Sequence, residues 1–459
     1  MGNPILFYST NLTSPALPFH EALIRGQAPD KGLYMPENIP KIDPETLVRM
    51  KGMEYHEMAA IIIGTFLKGV IGEHDLKLMV EDAYDFAVPL EHVTGRQYVM
   101  RLDQGPTASF KDFAGRMMGR LMNHYLRQTK GELLILTATS GDTGSAIANA
   151  FYGFDNIKVV VLFPTKEVTP RQRKQMTTLG KNIRIIGLDA KFDDCQALVK
   201  QAFSDPDLDQ LHLSSANSIN IGRLIPQIVY YFYAYAKLTE NPGTEKVIFS
   251  VPSGNFGDMM GGVLAMKMGL PVARFVIATN ENDEFPVFMN TGEYRKIEPS
   301  RNCISSAMNV GHPSNLARLV ALYGGVMDEK GTVHRLPDLA AMNSELFAVS
   351  VTDQETKATI KSAWEKYQLL LEPHGAVGWK GLEVFLDKHP ELNTPDQVCI
   401  SLETAHPAKF PEQIRTILNL DPDLPPSLAG LEDKPEQFDE MANNYSDFKA
   451  YLLRKYGGK

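Results

Sequence analysis

The chain of 459 residues is too long for one small hydrophobic core, so its length predicts two or three lobes. Hydrophobic residues make up 44% and charged residues 22% of the sequence, which is typical of a globular protein and excludes extended disorder. The net charge of −9 argues against nucleic acid or an anionic membrane as the main partner.

The first part of the chain, residues 1–92, combines helical patterns with polar turns, and we interpret it as mostly helical. Six apolar runs further along predict strands, at residues 132–138, 158–164, 182–188, 246–252, 274–280 and 397–403. Helical segments separate most of these runs, and continuous apolar strands joined by helices indicate parallel sheets buried on both faces. One group of strands precedes residue 190 and the other follows residue 245, which predicts two α/β lobes.

Two helices near the gap between these groups are predicted in more detail. Residues 171–180 form a helical pattern with Gly180 as its expected C-cap. Residues 221–238 predict one long helix rich in tyrosine, and we interpret its aromatic residues as packing residues.

Cysteine usage and the apolar runs bear on the compartment. Cys195, Cys303 and Cys399 are far apart and form no CxxC pair, which argues against a disulfide framework or a structural zinc site. The first residues lack the basic and apolar regions of a secretory leader. The longest apolar run, residues 59–67, is too short to span a bilayer. We therefore expect a cytoplasmic protein that does not use a membrane.

The segment from Gly105 to Phe113 places Lys111 in a Gly-Pro turn beside a small hydroxyl residue, an aromatic ring and an acid. Such neighbours desolvate a lysine and fix its position, which suits an amine that loses its proton and forms a Schiff base. Taken alone, the segment is explained more simply by a solvated surface lysine.

A first polar loop follows a predicted strand and opens a helix, at the edge where parallel sheets bind ligands. Its residues are Thr139, Ser140, Gly141, Asp142, Thr143 and Gly144. Hydroxyls, glycines and the N–H groups of a helix N-terminus together suit an anion. A strand-to-helix turn with a hydroxyl N-cap explains the loop about equally well.

A second loop has the same context in the later group of strands. Its residues are Ser253, Gly254, Asn255, Phe256, Gly257 and Asp258. The loop suits a phosphate nest, but it matches neither the P-loop nor the GxGxxG pattern. A single phosphomonoester is therefore favoured over a nucleotide.

Two further segments carry candidate binding residues. Residues 214–223 offer hydroxyls and amides before Arg223, which could bind a phosphate or carboxylate, although a polar turn with a surface arginine fits the segment better when it stands alone. After the last predicted strand, Thr404 could bind a ring nitrogen, while His406 and His374 fit a structural role better. HExxH and GxSxG motifs are absent from the sequence, so zinc and serine hydrolases have no support.

Together these segments resemble the threonine synthases, which are pyridoxal-phosphate enzymes of fold type II. The matching pieces are GPTASFKDFAGR, LTATSGDTGSA, SANSINIGR, VPSGNFGD and ETAHPAKF, and EALIRGQAPDKGLYMPENIP is similar to that family's first domain. SGNFGD is the most discriminating piece, because related cysteine synthases and dehydratases carry a glycine-richer loop there. One departure is visible at residues 8–12, which read YSTNL where many members read YSTRG.

The resemblance implies an α/β fold with two parallel-sheet lobes of the tryptophan synthase β-like class and a mostly helical N-terminal domain. It predicts an N-terminal domain at 1–92 and a large cofactor-binding lobe at 93–128 and 220–430. A small substrate-binding lobe is expected at 129–219, and a helical C-terminal extension at 431–459. We further expect a monomer or homodimer without a nucleic-acid partner.

The resemblance also assigns site residues, and no metal ligand is among them. Lys111 is the expected Schiff-base lysine for pyridoxal 5′-phosphate and the expected catalytic residue. The other cofactor contacts are expected at Ser253, Gly254, Asn255, Phe256, Gly257 and, facing the ring nitrogen, Thr404. The substrate contacts are expected at Thr139, Ser140, Gly141, Asp142, Thr143, Asn217 and Arg223.

The implied reaction converts O-phospho-L-homoserine and water to L-threonine and phosphate, with Lys111 moving protons. A pyridoxal-phosphate dehydratase or lyase acting on serine or threonine is the next hypothesis, and it would not need Asn217 and Arg223 as a phosphate clamp. A sensor that only binds phosphorylated ligands is disfavoured, because it needs neither Lys111 nor Thr404. A nucleotide-binding α/β protein is disfavoured by the missing nucleotide motifs.

Overall fold

The computed structural model of the protein describes residues 4–139 and 141–458. The elements of the N-terminal region are β1 (Leu6–Ser9), β2 (Leu17–Pro18), α1 (Phe19–Arg25), β3 (Tyr34–Pro36), α2 (Pro44–Met50), α3 (Tyr55–Leu67) and α4 (Glu73–Ala83). Strand β1 lies between β2 and β3 and is antiparallel to both. This small sheet was not predicted, because strands of two to four residues are too short to show an alternating pattern.

The middle of the chain alternates between strands and helices. Its elements are β4 (Leu90–Thr94), β5 (Gln97–Arg101), α5 (Lys111–Thr129), β6 (Leu133–Ala138), α6 (Asp142–Ala150), β7 (Ile157–Pro164), α7 (Pro170–Thr177), β8 (Ile183–Leu188), α8 (Phe192–Phe203), β9 (Leu213–Ser214), α9 (Ile221–Leu224) and α10 (Val229–Leu238).

The remaining elements continue this alternation to the end of the chain. They are β10 (Val247–Pro252), α11 (Gly257–Lys267), β11 (Val272–Thr279), α12 (Glu284–Thr291), α13 (Leu316–Leu322), β12 (Val326–Met327), β13 (Val333–Arg335), α14 (Leu339–Glu345), β14 (Leu346–Ser350), α15 (Asp353–Tyr367), α16 (Pro373–Lys388), β15 (Val398–Glu403), α17 (Pro411–Leu418), β16 (Asp439–Met441) and α18 (Tyr445–Tyr456).

The larger sheet has six strands in the order β14-β11-β10-β15-β5-β4. Neighbouring strands are parallel except β4, which runs antiparallel to β5 at one edge. Strands β10 and β15 are buried along their whole length, as their continuous apolar sequences require of a sheet covered on both faces.

The smaller sheet has five parallel strands in the order β16-β8-β7-β6-β9. Strands β6, β7 and β8 are the predicted group before residue 190, and β10, β11 and β15 form the centre of the other sheet, so the prediction of two parallel-sheet lobes is confirmed. Strand β16 comes from the last part of the chain, so the two lobes are not continuous in sequence. The predicted lobe boundaries remain a prediction.

Two helix predictions are wrong in detail. Residues 221–238 do not form one helix, because a 3-10 turn at Ile225–Ile228 separates α9 from α10. The turn contains Pro226, which lacks the N–H that a continuous helix would use. Helix α7 ends at Thr177 with Thr178 as its cap, so Gly180 lies beyond the cap position. Within the described ranges, no helix is both long and apolar enough to cross a membrane.

Candidate active site

The segments singled out in the sequence meet where strands of the two sheets end. Lys111 is the first residue of α5, and the loop after β15 lies beside it. The N–H of Phe110 donates to the carbonyl of Thr404 at 2.9 Å, and the N–H of His406 donates to the carbonyl of Ala108 at 3.0 Å. These two bonds fix the lysine turn against the end of β15.

The turn before Lys111 is held by its neighbouring acid. The carboxylate of Asp112 accepts hydrogen bonds from the N–H of Thr107 at 2.9 Å and from its hydroxyl at 2.7 Å. Gly105 has no room for a side chain, since a Cβ there would lie 2.5 Å from Asp112 Oδ2. The acid predicted beside the lysine therefore shapes the turn and does not contact the amine.

Lys111 is a largely buried amine without a close counter-ion. Its Nζ lies 3.9 Å from Asp142 Oδ2 and 4.7 Å from the centre of the Phe110 ring. Burial lowers the pKa of Lys111, and the positive charges of Lys409 and Arg223 lower it further against the opposing effect of Asp142. A lysine with a lowered pKa is suited to nucleophilic and proton-transfer chemistry.

Asp142, at the start of α6, is paired more closely with a second lysine. Its Oδ1 lies 2.7 Å from Lys409 Nζ and accepts a hydrogen bond from Gln172 Nε2 at 3.0 Å. Burial would raise the pKa of Asp142, but Lys409 and Lys111 outweigh that effect and lower it. The carboxylate is therefore ionised, and its side chain is engaged by cations. A backbone N–H at the helix start is the part of Asp142 that suits an anion.

The loop between β10 and α11 has the geometry of a phosphate nest. The backbone N–H groups of Gly254, Asn255, Phe256 and Gly257 form no hydrogen bond with another described residue, and they lie at the N-terminus of α11. Phe256 adopts a left-handed conformation with φ of 64°, which turns successive N–H groups towards one side. Free donors at a helix N-terminus fit a phosphate monoester.

This loop is fixed from both sides. The Oδ1 of Asn255 accepts hydrogen bonds from the N–H and hydroxyl of Ser314 at 2.7 and 2.9 Å, and its Nδ2 donates to Ser218 Oγ at 2.5 Å. A Cβ on Gly254 would lie 2.9 Å from the Cα of Met308. The side chain of Asn255 is thus used inside the protein, and the backbone is left for a ligand. Ser253 is buried and donates its hydroxyl to the carbonyl of Val251 at 3.0 Å.

The loop after β6 is held by its first hydroxyl. Thr139 Oγ1 accepts hydrogen bonds from the N–H of Gly141 at 2.9 Å and from the N–H of Gly144 at 2.8 Å. Thr139 thus shapes the loop, while Thr143 is half-buried at the start of α6. Ser140 lies outside the described residues.

Arg223 is a buried cation without a carboxylate partner among the described residues. It is 3% exposed, and its NH1 donates to the carbonyl of Ala216 at 2.8 Å, while its Nε has no partner in the described part of the chain. Burial lowers the pKa of Arg223 to about 10, so the side chain is still charged at neutral pH. A buried, unpaired guanidinium calls for an anion from outside.

Asn217 and Thr404 leave donor groups for a ligand. Asn217 Oδ1 accepts from Thr137 Oγ1 at 2.7 Å, so the Nδ2 of Asn217 is the group able to donate to a ligand. Thr404 is buried directly after β15, beside the lysine turn. The charges of Arg223, Asp258 and Lys409 all affect the pKa of Lys111, so these side chains lie within electrostatic range of its amine.

The two histidines are held in structural hydrogen bonds. His374 donates from Nδ1 to the Glu372 carboxylate at 2.5 Å and accepts from the N–H of Ala307 at 3.0 Å, so both ring nitrogens are used. His406 Nδ1 accepts from the N–H of Ala408 at 3.1 Å. These bonds agree with the structural role expected for both residues.

The most important residue that sequence reasoning left without a role is Lys409. It lies in the quoted piece ETAHPAKF, but only the fold shows that it is fully buried against Asp142. Arg318 was also missed: it is fully buried and donates to the carbonyls of Tyr34, Ser218 and Ile219, which fixes the loop before α9. Clusters of charge formed by residues far apart in sequence carry no local pattern that could reveal them.

Family models match almost the whole chain. A model described as pyridoxal-phosphate dependent enzyme matches residues 87–403, one described as threonine synthase N terminus matches residues 6–84, and one described as threonine synthase, C-terminal, matches residues 376–452. These ranges contain both large sheets, the small N-terminal sheet and the strand contributed by the end of the chain.

Individual relatives are similar over the same length. The chain is 39% identical to the threonine synthase of Haemophilus influenzae over 439 residues, which cover 95% of this chain and 96% of that protein. It is 39% identical to the threonine synthase of Escherichia coli over 418 residues, covering 91% and 92%. The crystal structure of pyridoxal-phosphate-bound threonine synthase from Brucella melitensis superposes with a TM-score of 0.91 at 35% identity and covers 99% of this chain and 100% of that one.

Proposed function

The chain belongs to the threonine synthase family of pyridoxal-phosphate-dependent enzymes, and we propose that Lys111, the Gly254–Gly257 loop and Arg223 carry out that family's reaction in it. The protein is a lyase that converts O-phospho-L-homoserine and water to L-threonine and phosphate, the last step of threonine biosynthesis. Its cofactor is pyridoxal 5′-phosphate. One observation carries the assignment of roles. A desolvated lysine occurs together with a phosphate nest whose N–H groups have no partner among the described residues and with a buried arginine that has no carboxylate partner among them.

The residues present fit this cofactor. The free N–H groups of Gly254, Asn255, Phe256 and Gly257 would hold its phosphate, and Lys111 would carry it through the side-chain amine. Thr404 would face the ring nitrogen, where a hydroxyl does not enforce a protonated ring as an aspartate would. When bound, the cofactor supplies the electron sink for the carbanions that form next to the substrate's amino group.

The substrate's phosphate is bound by a separate set of residues. The free Nε of Arg223 and the Nδ2 of Asn217 donate to its oxygens, and the backbone N–H groups of Asp142 and Thr143 at the start of α6 complete the anion site. Arg223 is the main source of charge here, because the side chain of Asp142 is negative and is paired with lysines. The arginine therefore supports both substrate binding and the departure of phosphate from Cγ.

Lys111 is the residue placed to move protons. Its Nζ takes the Cα proton and then the Cβ proton of the substrate. L-threonine ends in a methyl group, so Cγ must gain a proton after phosphate has left, and the same amine can return it. After water has added at Cβ, Lys111 returns a proton to Cα. Its lowered pKa makes the ammonium form give up its proton more readily, which suits an amine that takes and returns protons.

The net charge and the cysteines support a proposal about the partners and the compartment of the protein. The net charge of −9 disfavours nucleic acid and anionic membranes as partners. Cys195, Cys303 and Cys399 are free and buried, which agrees with a reducing compartment. We place the protein in the cytoplasm, acting as a monomer or homodimer.

Replacement of Lys111 by alanine tests the proposed function. We expect Lys111→Ala to lower the rate of phosphate release from O-phospho-L-homoserine by about 10³-fold or more, because the proton-transfer group is lost. Lys77→Ala, at an exposed position of α4, is the matched control and should retain full activity. Circular dichroism should show the same fold in both variants. Substantial phosphate release by a folded Lys111→Ala protein would overturn the assignment.

A further inference from the structure

Lys409 and Lys111 approach the same carboxylate from different directions. The fully buried Lys409 lies 2.7 Å from Asp142 Oδ1, whereas Lys111 lies 3.9 Å from Asp142 Oδ2. Lys409 Nζ also donates to the carbonyl of Thr107 at 2.8 Å, which belongs to the turn before Lys111. Asp142 therefore forms its close ion pair with Lys409 and only a loose one with Lys111.

The buried charges around the amine do not balance if both lysines are protonated. Four charged groups affect the pKa of Lys111. The negative groups Asp142 and Asp258 raise it, and the positive groups Lys409 and Arg223 lower it. Burial raises the pKa of Asp258 to about 6, so this carboxylate is still mostly ionised at neutral pH. With Lys409 and Arg223 charged, an ammonium at Lys111 adds a third cation to a buried site that has two anions, Asp142 and Asp258. Loss of the proton from Lys111 removes this excess positive charge at the lowest cost in free energy.

We infer that Lys409 is a positioning residue that holds the Asp142 carboxylate to itself and so keeps the Lys111 amine unprotonated. The inference deepens the proposed function and rests on Lys111 as the cofactor lysine. Without Lys409, the carboxylate of Asp142 would keep Gln172 as a neutral partner and turn to Lys111 as its remaining lysine. The resulting salt bridge would stabilise the ammonium form of Lys111, which can neither attack the cofactor nor accept a proton.

Lys409 also connects the two sheets, so its electrostatic role must be separated from a structural one. The carbonyl of Thr107 accepts hydrogen bonds from Lys409 and from Gln175 Nε2, at 2.8 and 3.0 Å. Gln175 belongs to α7 of the smaller sheet's lobe, while Lys409 follows β15 of the larger sheet. A purely structural role predicts loss of stability without a change in the protonation of Lys111.

The test measures the protonation of Lys111 directly, on the full-length chain freed of cofactor. Brief labelling with acetic anhydride across a pH series, followed by peptide mass spectrometry, gives the pH midpoint at which the Lys111 amine becomes reactive. The exposed Lys77 in the same sample is the internal reference. We expect Lys409→Met to raise the midpoint of Lys111 by about one pH unit or more. Lys409→Arg, which keeps the charge, should leave the midpoint near that of the unmodified sequence.

The double variant K409M/D142N makes the inference falsifiable. Removal of the carboxylate should return the Lys111 midpoint to the original value or below it, because the Asp142 charge that would pair with the ammonium is gone. An unchanged midpoint in Lys409→Met, or a midpoint that stays raised in the double variant, would overturn the inference. If Lys409→Met does not fold, Lys409→Gln takes its place: the Lys111 midpoint should rise in the same way, and an unchanged midpoint would overturn the inference.

The labelling midpoint of Lys111 is measured without turnover, so it tests the role of Lys409 separately from the proposed function. Activity in a Lys111→Ala protein would overturn the proposed function without changing the labelling midpoints. If Lys409→Met leaves the Lys111 midpoint unchanged while turnover still requires Lys111, only the role of Lys409 is overturned.

Discussion

At the scale of single residues, Arg223 distinguishes this site from one that only binds a cofactor. A phosphate nest and a lysine suffice for pyridoxal phosphate, but the buried guanidinium has no carboxylate to neutralise it within the described part of the chain. Dehydratases acting on serine or threonine have no second phosphate to bind. The arginine therefore favours a phosphorylated substrate.

Arg223→Ala should weaken binding of O-phospho-L-homoserine by about 1.5–3 kcal/mol, because a charged hydrogen bond is lost. Cofactor affinity should change far less, since the cofactor phosphate is assigned to the Gly254–Gly257 loop. The comparison is made by steady-state kinetics for the substrate and by fluorescence titration for the cofactor, with the exposed Arg295→Ala as control. Equal losses of both affinities would mean that Arg223 acts through its bond to Ala216 and is structural.

Lys111 could be predicted as a site residue from the sequence, whereas Lys409 could not. Lys111 could be singled out because its unusual neighbours are adjacent in sequence. Lys409 is 298 positions away, and its importance depends on contacts with Thr107 and Asp142 that only the fold creates. Asp142 itself was predicted to contact substrate, but its side chain is paired with lysines, which local sequence could not show.

At the scale of elements, the long apolar strands were predictable and the short ones were not. Strands such as β7 and β10 are continuous apolar runs, since both faces of each sheet are covered. The strands β1, β2 and β3 have only two to four residues each, which is too few to show a pattern in the sequence. Residues 221–238 contain Pro226, which interrupts the helix, although the apolar pattern around it continues.

Asp30 is the residue that organises this N-terminal sheet. Its carboxylate accepts hydrogen bonds from Ser9 Oγ at 2.6 Å and from the N–H groups of Ser14 and Gly32 at 2.9 and 3.0 Å. The departure at residues 8–12 lies here too, where Asn11 Nδ2 donates to the carbonyl of Asp30 at 2.8 Å. The asparagine thus joins the same network, which the sequence alone did not indicate.

Asp30 makes the stability of this region depend on pH. Burial would raise the pKa of Asp30, but hydrogen bonds from Ser9, Gly32 and Thr13 outweigh that effect and lower it to about 2 from 3.8. A carboxyl with a lowered pKa in the folded state stabilises the fold above its unfolded pKa, and this contribution is lost as pH falls towards the folded value. The melting temperature of Asp30→Asn should therefore lie below that of the unmodified sequence at pH 5 and above.

Thermal unfolding at a series of pH values checks this prediction. The difference in melting temperature between the two proteins should narrow as pH falls from about 4 to about 2. A difference that stays constant over this range would show that the charge of Asp30 contributes nothing to stability.

At the scale of the whole molecule, the end of the chain completes the smaller lobe. Strand β16 pairs with β8, and α18 packs on α8 through a hydrophobic cluster that includes Phe448, Leu198 and Leu452. The extension was predicted to be helical, and α18 agrees with this, but its return to the smaller sheet was not predicted. Pairing between residues as far apart as Ile186 and Asp439 has no signature in a single sequence.

Phe448 should therefore be important for stability although it is far from the site. Phe448→Ala removes a fully buried ring from this cluster and should lower the free energy of unfolding by about 3–5 kcal/mol, measured by urea denaturation. Phe203→Ala, at the exposed end of α8, is the matched control and should change it by about 0.5 kcal/mol or less. Equal effects of the two substitutions would show that α18 is only loosely attached.

One measurement on the intact protein tests both whether Lys111 holds the cofactor and whether the substrate is phosphorylated. The absorption spectrum is recorded with pyridoxal 5′-phosphate before and after O-phospho-L-homoserine is added, while phosphate and L-threonine are quantified in the same sample. We predict a visible band from the lysine-bound cofactor that changes on addition, with one phosphate released for each threonine formed. A visible band without phosphate release, or no band at all with the cofactor present, would contradict the proposed function.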